Sequence, residues 1–146
     1  MERDLIIVLD FGGQYKQLIA RRVRECKVYC EIHTYTTGLD RLLSMRPNGI
    51  ILTGGPNSVY DPQSPTYTAD LFKAGIPVLG ICYGSQLMAY KLGGTVETAP
   101  TSEYGHTVVT IDRQDSALFT DVGNPTSVWM SHTDYISKAP EGYEII

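Results

Sequence analysis

Apolar residues fall along this chain in two rhythms, and the change between them comes after residue 94. Before that point, short unbroken apolar runs alternate with stretches of helical spacing. LIIVLD at 5–10 is continuous and rich in branched residues, the pattern of a strand buried on both faces, as in a parallel sheet. After Phe11-Gly12-Gly13, the apolar positions Tyr15, Leu18, Ile19, Val23 and Cys26 recur at helical spacing, with Arg21, Arg22 and Arg24 on the other face. This predicts an amphipathic helix laid on the sheet, its arginines a solvated face.

The alternation continues with a strand over 28–33, a short helix over 38–45 that stops before Pro47, and a strand over 49–53. A turn-forming cluster, Gly54-Gly55-Pro56-Asn57-Ser58, opens a loop that runs to Pro65. A helix over 66–74, a strand over 76–81 and a helix over 86–92 complete the series. Four strands each followed by a helix predict an α/β protein, a doubly wound and mainly parallel sheet with a flavodoxin-like core. Both glycine turns, after the third and fourth strands, lie at strand carboxyl ends, where such sheets hold their ligands.

Beyond residue 94 the runs are short and of β type, at 95–98, 105–111, 127–130 and 143–146, with one helical turn expected near 115–119. They predict a small antiparallel addition. Because 143–146 is an apolar run with no closing helix, residues 1–146 are expected to be one domain, truncated at its C-terminus.

Composition narrows this little further. At 146 residues the chain suits one domain with a real core, and a net charge of −4 gives no reason to expect nucleic acid or an anionic membrane as partner. No apolar run approaches a membrane span, the run behind residues 1–4 is too short for a secretory leader, and three cysteines read as reduced thiols. A cytoplasmic setting is expected. Cys26 and Cys30 lack zinc-like spacing, so packing is expected for both and no metal site.

The candidate chemistry sits at residues 75–94, where an apolar run meets Gly80-Ile81-Cys82-Tyr83-Gly84 and passes directly into a helical pattern. G-x-C-x-G is the cysteine form of the nucleophile elbow, in which two glycines let a strand turn sharply and expose the central side chain. At a helix N-terminus Cys82 is expected to favour the thiolate, and the Tyr83 N–H is placed to receive an oxyanion. The alternative is a small buried hydrophobe at the end of a core strand, the usual fate of a free cysteine.

Taken together, these stretches resemble the class I (triad) glutamine amidotransferases and, within them, the amidotransferase domains of GMP synthases. The resemblance rests on four stretches: residues 9–15 (LDFGGQY) with 17–25 (QLIARRVRE), Gly54-Gly55-Pro56 with Ser58-Val59-Tyr60, the elbow, and residues 128–132 (VWMSH) with Asp134. It covers nearly the whole chain. Ser85, Gly13 and Lys16 depart from the usual family residues without removing the chemistry.

The resemblance implies hydrolysis of glutamine through a cysteine thioester, the ammonia being used for XMP to GMP conversion in purine biosynthesis. Cys82 matches the nucleophile and the amides of Gly55 and Tyr83 the oxyanion donors. Gln86 and the segment Ser131, His132 and Thr133 match groups that hold the substrate. The implied partners are glutamine and an ATP-pyrophosphatase (synthetase) domain of the same enzyme. ATP and Mg are expected in that domain, since its S-G-G-V-D-S-type loop is not in this sequence, and no cofactor is expected here. Two other readings stand beside this one: the small amidotransferase subunit of an anthranilate or carbamoyl-phosphate synthase, against which the D-F-G-x-Q-Y opening argues, and a non-catalytic glutamine-binding fragment.

A cysteine acting on an amide needs a base, normally a histidine oriented by a carboxylate. The family supplies it from an H-P-E segment not found in these 146 residues, so the catalytic His and Glu are expected beyond Ile146 and this stretch alone is expected to be inactive. His132-Thr133-Asp134 imitates such a pair, but it matches the substrate-holding segment. His33 reads as a residue of a sheet edge, His106 as a surface or domain-contact residue, and Asp10 as a strand-end cap.

Overall fold

The computed structural model describes residues 3–146. Residues 1 and 2, which the leader argument includes, lie outside the described residues. The first half of the chain builds a four-stranded sheet from β1 (Leu5–Asp10), β2 (Tyr29–Thr34), β3 (Gly49–Leu52) and β4 (Val78–Gly80). All pairings are parallel and the order is β2-β1-β3-β4, which is how a flavodoxin-like sheet begins.

The continuous apolar run of β1 has the expected cause. Ile7, Val8 and Leu9 are 0% exposed because β1 lies inside the sheet with layers on both faces. On one face α1 (Lys16–Glu25) brings Ile19, Ala20 and Val23 against Ile6, Val8, Ile32 and Ile51. On the other, α2 (Leu39–Ser44), a 3-10 turn (Ala69–Lys73) and α3 (Tyr83–Lys91) bring Leu42, Leu71 and Leu87 against Leu5, Ile7, Leu9, Ile50 and Leu52. Each such side chain removed from water contributes about 1.5–3 kcal/mol.

Four details of the sequence reading are corrected. The buried face of α1 is Ile19, Ala20 and Val23, while Tyr15, Leu18 and Cys26 are exposed. Small Ala20 lets the helix approach closely enough for the Cys30 thiol to donate to its carbonyl at 3.3 Å. Packing therefore accounts for Cys30 and not for Cys26. The expected helix at 66–74 is a five-residue 3-10 turn, capped by the Thr68 hydroxyl and ended before Gly75 at φ +74°, too short a span to propagate an α-helix. The run at 143–146 forms no strand.

The second half is an antiparallel ribbon of β5 (Thr95–Val109) and β6 (Thr126–Lys138), longer than the short runs predicted, with a register shift between Thr98 and Glu103. Beside its first strand stands Tyr60, whose hydroxyl donates to the Val96 carbonyl at 2.7 Å and accepts the Val96 N–H at 3.3 Å. Its ring meets that of Tyr90 edge-on.

Candidate active site

At the carboxyl end of the sheet three turns meet. The first follows β1, where the buried Asp10 carboxylate accepts the Gly12 N–H at 2.8 Å and the Lys16 ammonium at 2.5 Å, the strand-end cap read from sequence. The second follows β3. Thr53 Oγ1 accepts the Phe11 N–H at 3.0 Å and donates to the Gly54 carbonyl at 3.0 Å. A methyl group on Gly13 would lie 2.5 Å from that carbonyl oxygen, so only glycine allows these two turns to touch as they do.

The third turn is the elbow. Cys82 has φ 51° and ψ −118°, a conformation that costs a non-glycine residue about 1–3 kcal/mol. The surrounding structure imposes it: the Gly84 N–H donates to the Thr53 and Ile81 carbonyls, both at 3.0 Å. The two glycines are required by contact. A methyl at Gly80 would lie 2.6 Å from Ser85 Cα, and one at Gly84 2.5 Å from Leu52 Cβ. Ser85 turns its hydroxyl back onto the Cys82 carbonyl at 2.7 Å. Tyr83 is buried, packs its ring against Phe11 and donates its hydroxyl to the Pro65 carbonyl, tying the elbow to the loop after β3.

Gly55, Cys82, Tyr83, Gln86, Ser131, His132 and Thr133 all line one cavity of about 230 Å³, with Pro56 to Ser58, Tyr104 and Asp134. One wall comes from the sheet turns and the other from the ribbon. The amides of Gly55 and Tyr83 have no hydrogen-bond acceptor among the described residues. The Gln86 side-chain amide donates to the Asp134 carbonyl at 2.8 Å, holding the ribbon segment against α3.

The thiol behaves differently from the sequence expectation. It is exposed in the cavity, yet partial burial pushes its pKa up from the ordinary thiol value. The N-terminus of α3 begins beside it, and no lysine or arginine lines the cavity. A resting thiol of this kind needs a base before it can attack.

His132 is the cavity's one histidine. Its Nε2 pairs with Glu103 Oε2 at 3.1 Å, and its buried Nδ1 has no partner among the described residues. Asp134, the carboxylate two residues on, instead accepts the Thr98 hydroxyl at 2.8 Å, so His132-Thr133-Asp134 is not an oriented pair. Glu103 and Tyr104 were not among the sequence-derived site residues. Only the ribbon register, which sets Glu103 opposite His132 and Tyr104 opposite Ser131, brings them to the site.

The remaining histidines lie elsewhere. His33, on edge strand β2, pairs with Glu31 at 2.8 Å, and that bond, helped by the Tyr29 hydroxyl, holds the Glu31 carboxyl below its usual range. His106 is exposed beside Trp129. Among the described residues no cluster of His, Cys, Asp and Glu could hold a metal ion, and no helix is long and apolar enough to cross a membrane.

Comparison with known proteins gives the same picture. The whole chain is 60% identical to the GMP synthase [glutamine-hydrolyzing] of Clostridium botulinum (strain Alaska E43 / Type E3) and 58% identical to that of Lachnospira eligens, and in each case it spans 28% of the relative's length. Among solved structures, a Thermoplasma acidophilum protein assigned to GMP synthase superposes with a TM-score of 0.76 at 25% identity, over 97% of this chain and 70% of that one. A glutamine amidotransferase from Thermotoga maritima shares the fold, with a TM-score of 0.72 at 19% identity over 99% of this chain and 70% of that one. Residues 7–146 match the glutamine amidotransferase class-I family, and with the cysteine elbow and its two free amides in one cavity, the chain belongs to that family.

Proposed function

We propose that this chain is the glutamine-hydrolysing part of a GMP synthase. The observation that carries the reading is the elbow: a strained cysteine at the start of α3, in one cavity with two unpaired backbone amides, within a chain 60% identical throughout to such an enzyme. Cys82, once deprotonated, adds to the side-chain amide carbon of glutamine, and the C=O electron pair moves onto oxygen. The Gly55 and Tyr83 N–H groups receive that oxyanion. Collapse of the adduct expels ammonia, its nitrogen protonated as it leaves, and a γ-glutamyl thioester remains. Water then releases glutamate and restores the thiol. Gln86 helps to hold the substrate, and the Ser131–Thr133 backbone pairs with its α-amino and carboxylate groups.

The proton shuttle is assigned to the His and Glu of the family's H-P-E segment, which residues 1–146 do not contain, because His132 lies in the stretch that matches the substrate-holding segment. The ammonia is consumed by a synthetase unit that aminates XMP, and ATP and Mg belong to that unit. The setting is cytoplasmic. The test is ammonia release from glutamine by the protein at its natural length, beside Cys82→Ala. Loss of glutamine-dependent GMP formation with ammonia-dependent formation retained is the expected result. Full glutamine-dependent activity in Cys82→Ala would overturn the reading.

A further inference from the structure

Thr53 is a fully buried hydroxyl, 1% exposed, to which neither the family resemblance nor the elbow gives a task. It touches all three turns at the site. Its Oγ1 accepts the Phe11 N–H from the turn after β1, its backbone carbonyl accepts the Gly84 N–H from the elbow, and its hydroxyl proton goes to the Gly54 carbonyl. A hydroxyl has one proton to give. With the Phe11 amide filling a lone pair, that proton is directed to Gly54.

The bond has a consequence one residue further on. In a trans peptide the C=O and N–H point in opposite directions. Anchoring the Gly54 oxygen on the β1 side therefore turns the Gly55 N–H the other way, on the side where Gly55 lines the cavity with Cys82. Two adjacent glycines leave this peptide unusually free to rotate. Among the described residues, the Thr53 hydroxyl makes the one hydrogen bond to the Gly54 carbonyl.

We propose that Thr53 is a positioning residue for the oxyanion site: its hydroxyl, held by Phe11, fixes the Gly54–Gly55 peptide so that the Gly55 N–H faces the reacting carbonyl. This rests on the amidotransferase reading. Removing an oxyanion donor outright costs about 10²–10³-fold in kcat, so loosening one costs about 10–100-fold.

The test compares Thr53→Val, which removes the hydroxyl and nearly keeps the shape, with Thr53→Ser, which keeps the hydroxyl, in the protein at its natural length. Three readouts separate positioning from general damage. Glutamine hydrolysis in Thr53→Val loses about 10–100-fold in kcat while KM changes by less than about threefold. The γ-aldehyde of glutamate adds to the thiol as a thiohemiacetal with its oxygen in the oxyanion position, and its Ki rises by the same factor. Alkylation of Cys82 by iodoacetamide forms no oxyanion, and its rate stays within about twofold. Thr53→Ser restores all three to near wild type. Should the valine variant not fold, Thr53→Ala carries the same measurements.

Wild-type kcat and aldehyde affinity in the variant lacking the hydroxyl overturn the proposal, as does an equal loss in Thr53→Ser or alkylation slowed by the same factor as turnover. A wild-type protein that neither hydrolyses glutamine nor binds the aldehyde brings down the amidotransferase reading, and this proposal with it.

Discussion

The two walls of the cavity are built on opposite terms. The sheet wall rests on a sheet whose β1 and β3 bury Ile7, Val8, Leu9 and Leu52 at 0% exposure, whereas the ribbon wall carries Tyr104, Val108 and Trp129 at 70%, 63% and 81% exposure. On the sheet side, position comes from contact: glycines that touch backbone, a cysteine in a costly conformation, and a carbonyl tethered by a buried hydroxyl. On the ribbon side it comes from hydrogen bonds between exposed and half-buried side chains, Thr98 with Asp134, Ser102 with Thr133 and Glu103 with His132. The reactive atom sits where error is least tolerated, and the groups assigned to substrate recognition sit where the chain has more freedom.

The largest expected effect lies at the tightest contact on the sheet side. Gly84→Val places a side chain into Leu52, and overpacking of this kind costs about 1–3 kcal/mol or more. Displacing the thiol by an ångström then lowers kcat/KM for glutamine by about 100-fold or more. Ammonia release alongside thermal unfolding checks it, and a variant with full activity would show that the elbow tolerates movement.

Next come paired truncations that compare the walls directly. Leu52→Ala in β3 is expected to cost about 2–5 kcal/mol in denaturant unfolding, and Val108→Ala in β5 less than about 0.5 kcal/mol. Equal costs would erase the contrast. Smaller again is Glu103→Gln, which removes the charge opposite His132. A pair whose carboxylate is exposed contributes about 0–1 kcal/mol, so KM for glutamine rises by at most about fivefold with kcat nearly unchanged. A collapse of kcat instead would make His132 a participant in proton transfer.

The thiols give the finest discrimination. Cys26 and Cys82 are exposed and Cys30 is buried, so peptide mapping after iodoacetamide is expected to find the first two labelled and Cys30 spared. The Cys82 rate should rise with pH and inflect above the ordinary thiol range, since burial raises its pKa. The sign for stability follows. Above the ordinary thiol pKa the unfolded chain ionises Cys82 before the folded one does, so its contribution is present at lower pH and is lost as pH rises. An inflection below neutrality would restore the thiolate expected from the helix N-terminus alone.

What sequence could convey differs along the same divide. Burial on both faces writes a continuous apolar run, and β1 matches its predicted bounds residue for residue, as do the glycines of the elbow. The faces of α1 were less legible, because apolar Tyr15 and Leu18 satisfy helical spacing equally well and Ala20 carries little hydrophobic signal. In the ribbon, a register shift at Thr98/Glu103 breaks the alternation on which strand reading depends, so its strands were read short and Glu103 was missed. Thr53 was beyond reach for another reason: its task depends on Phe11, 42 positions away. The raised Cys82 pKa was hidden likewise, since desolvation depends on walls contributed by distant segments.

The Tyr60 hydroxyl acts as a borrowed peptide group. It both donates to and accepts from Val96, the exchange a neighbouring strand would make, and it does so from the loop that begins at the oxyanion turn. The distance between the two walls is thereby gauged by the length of one phenol. A Tyr60→Phe protein would keep its ring against Tyr90 but lose the gauge, and the ribbon could then drift from the thiol while every residue assigned to chemistry stayed in place.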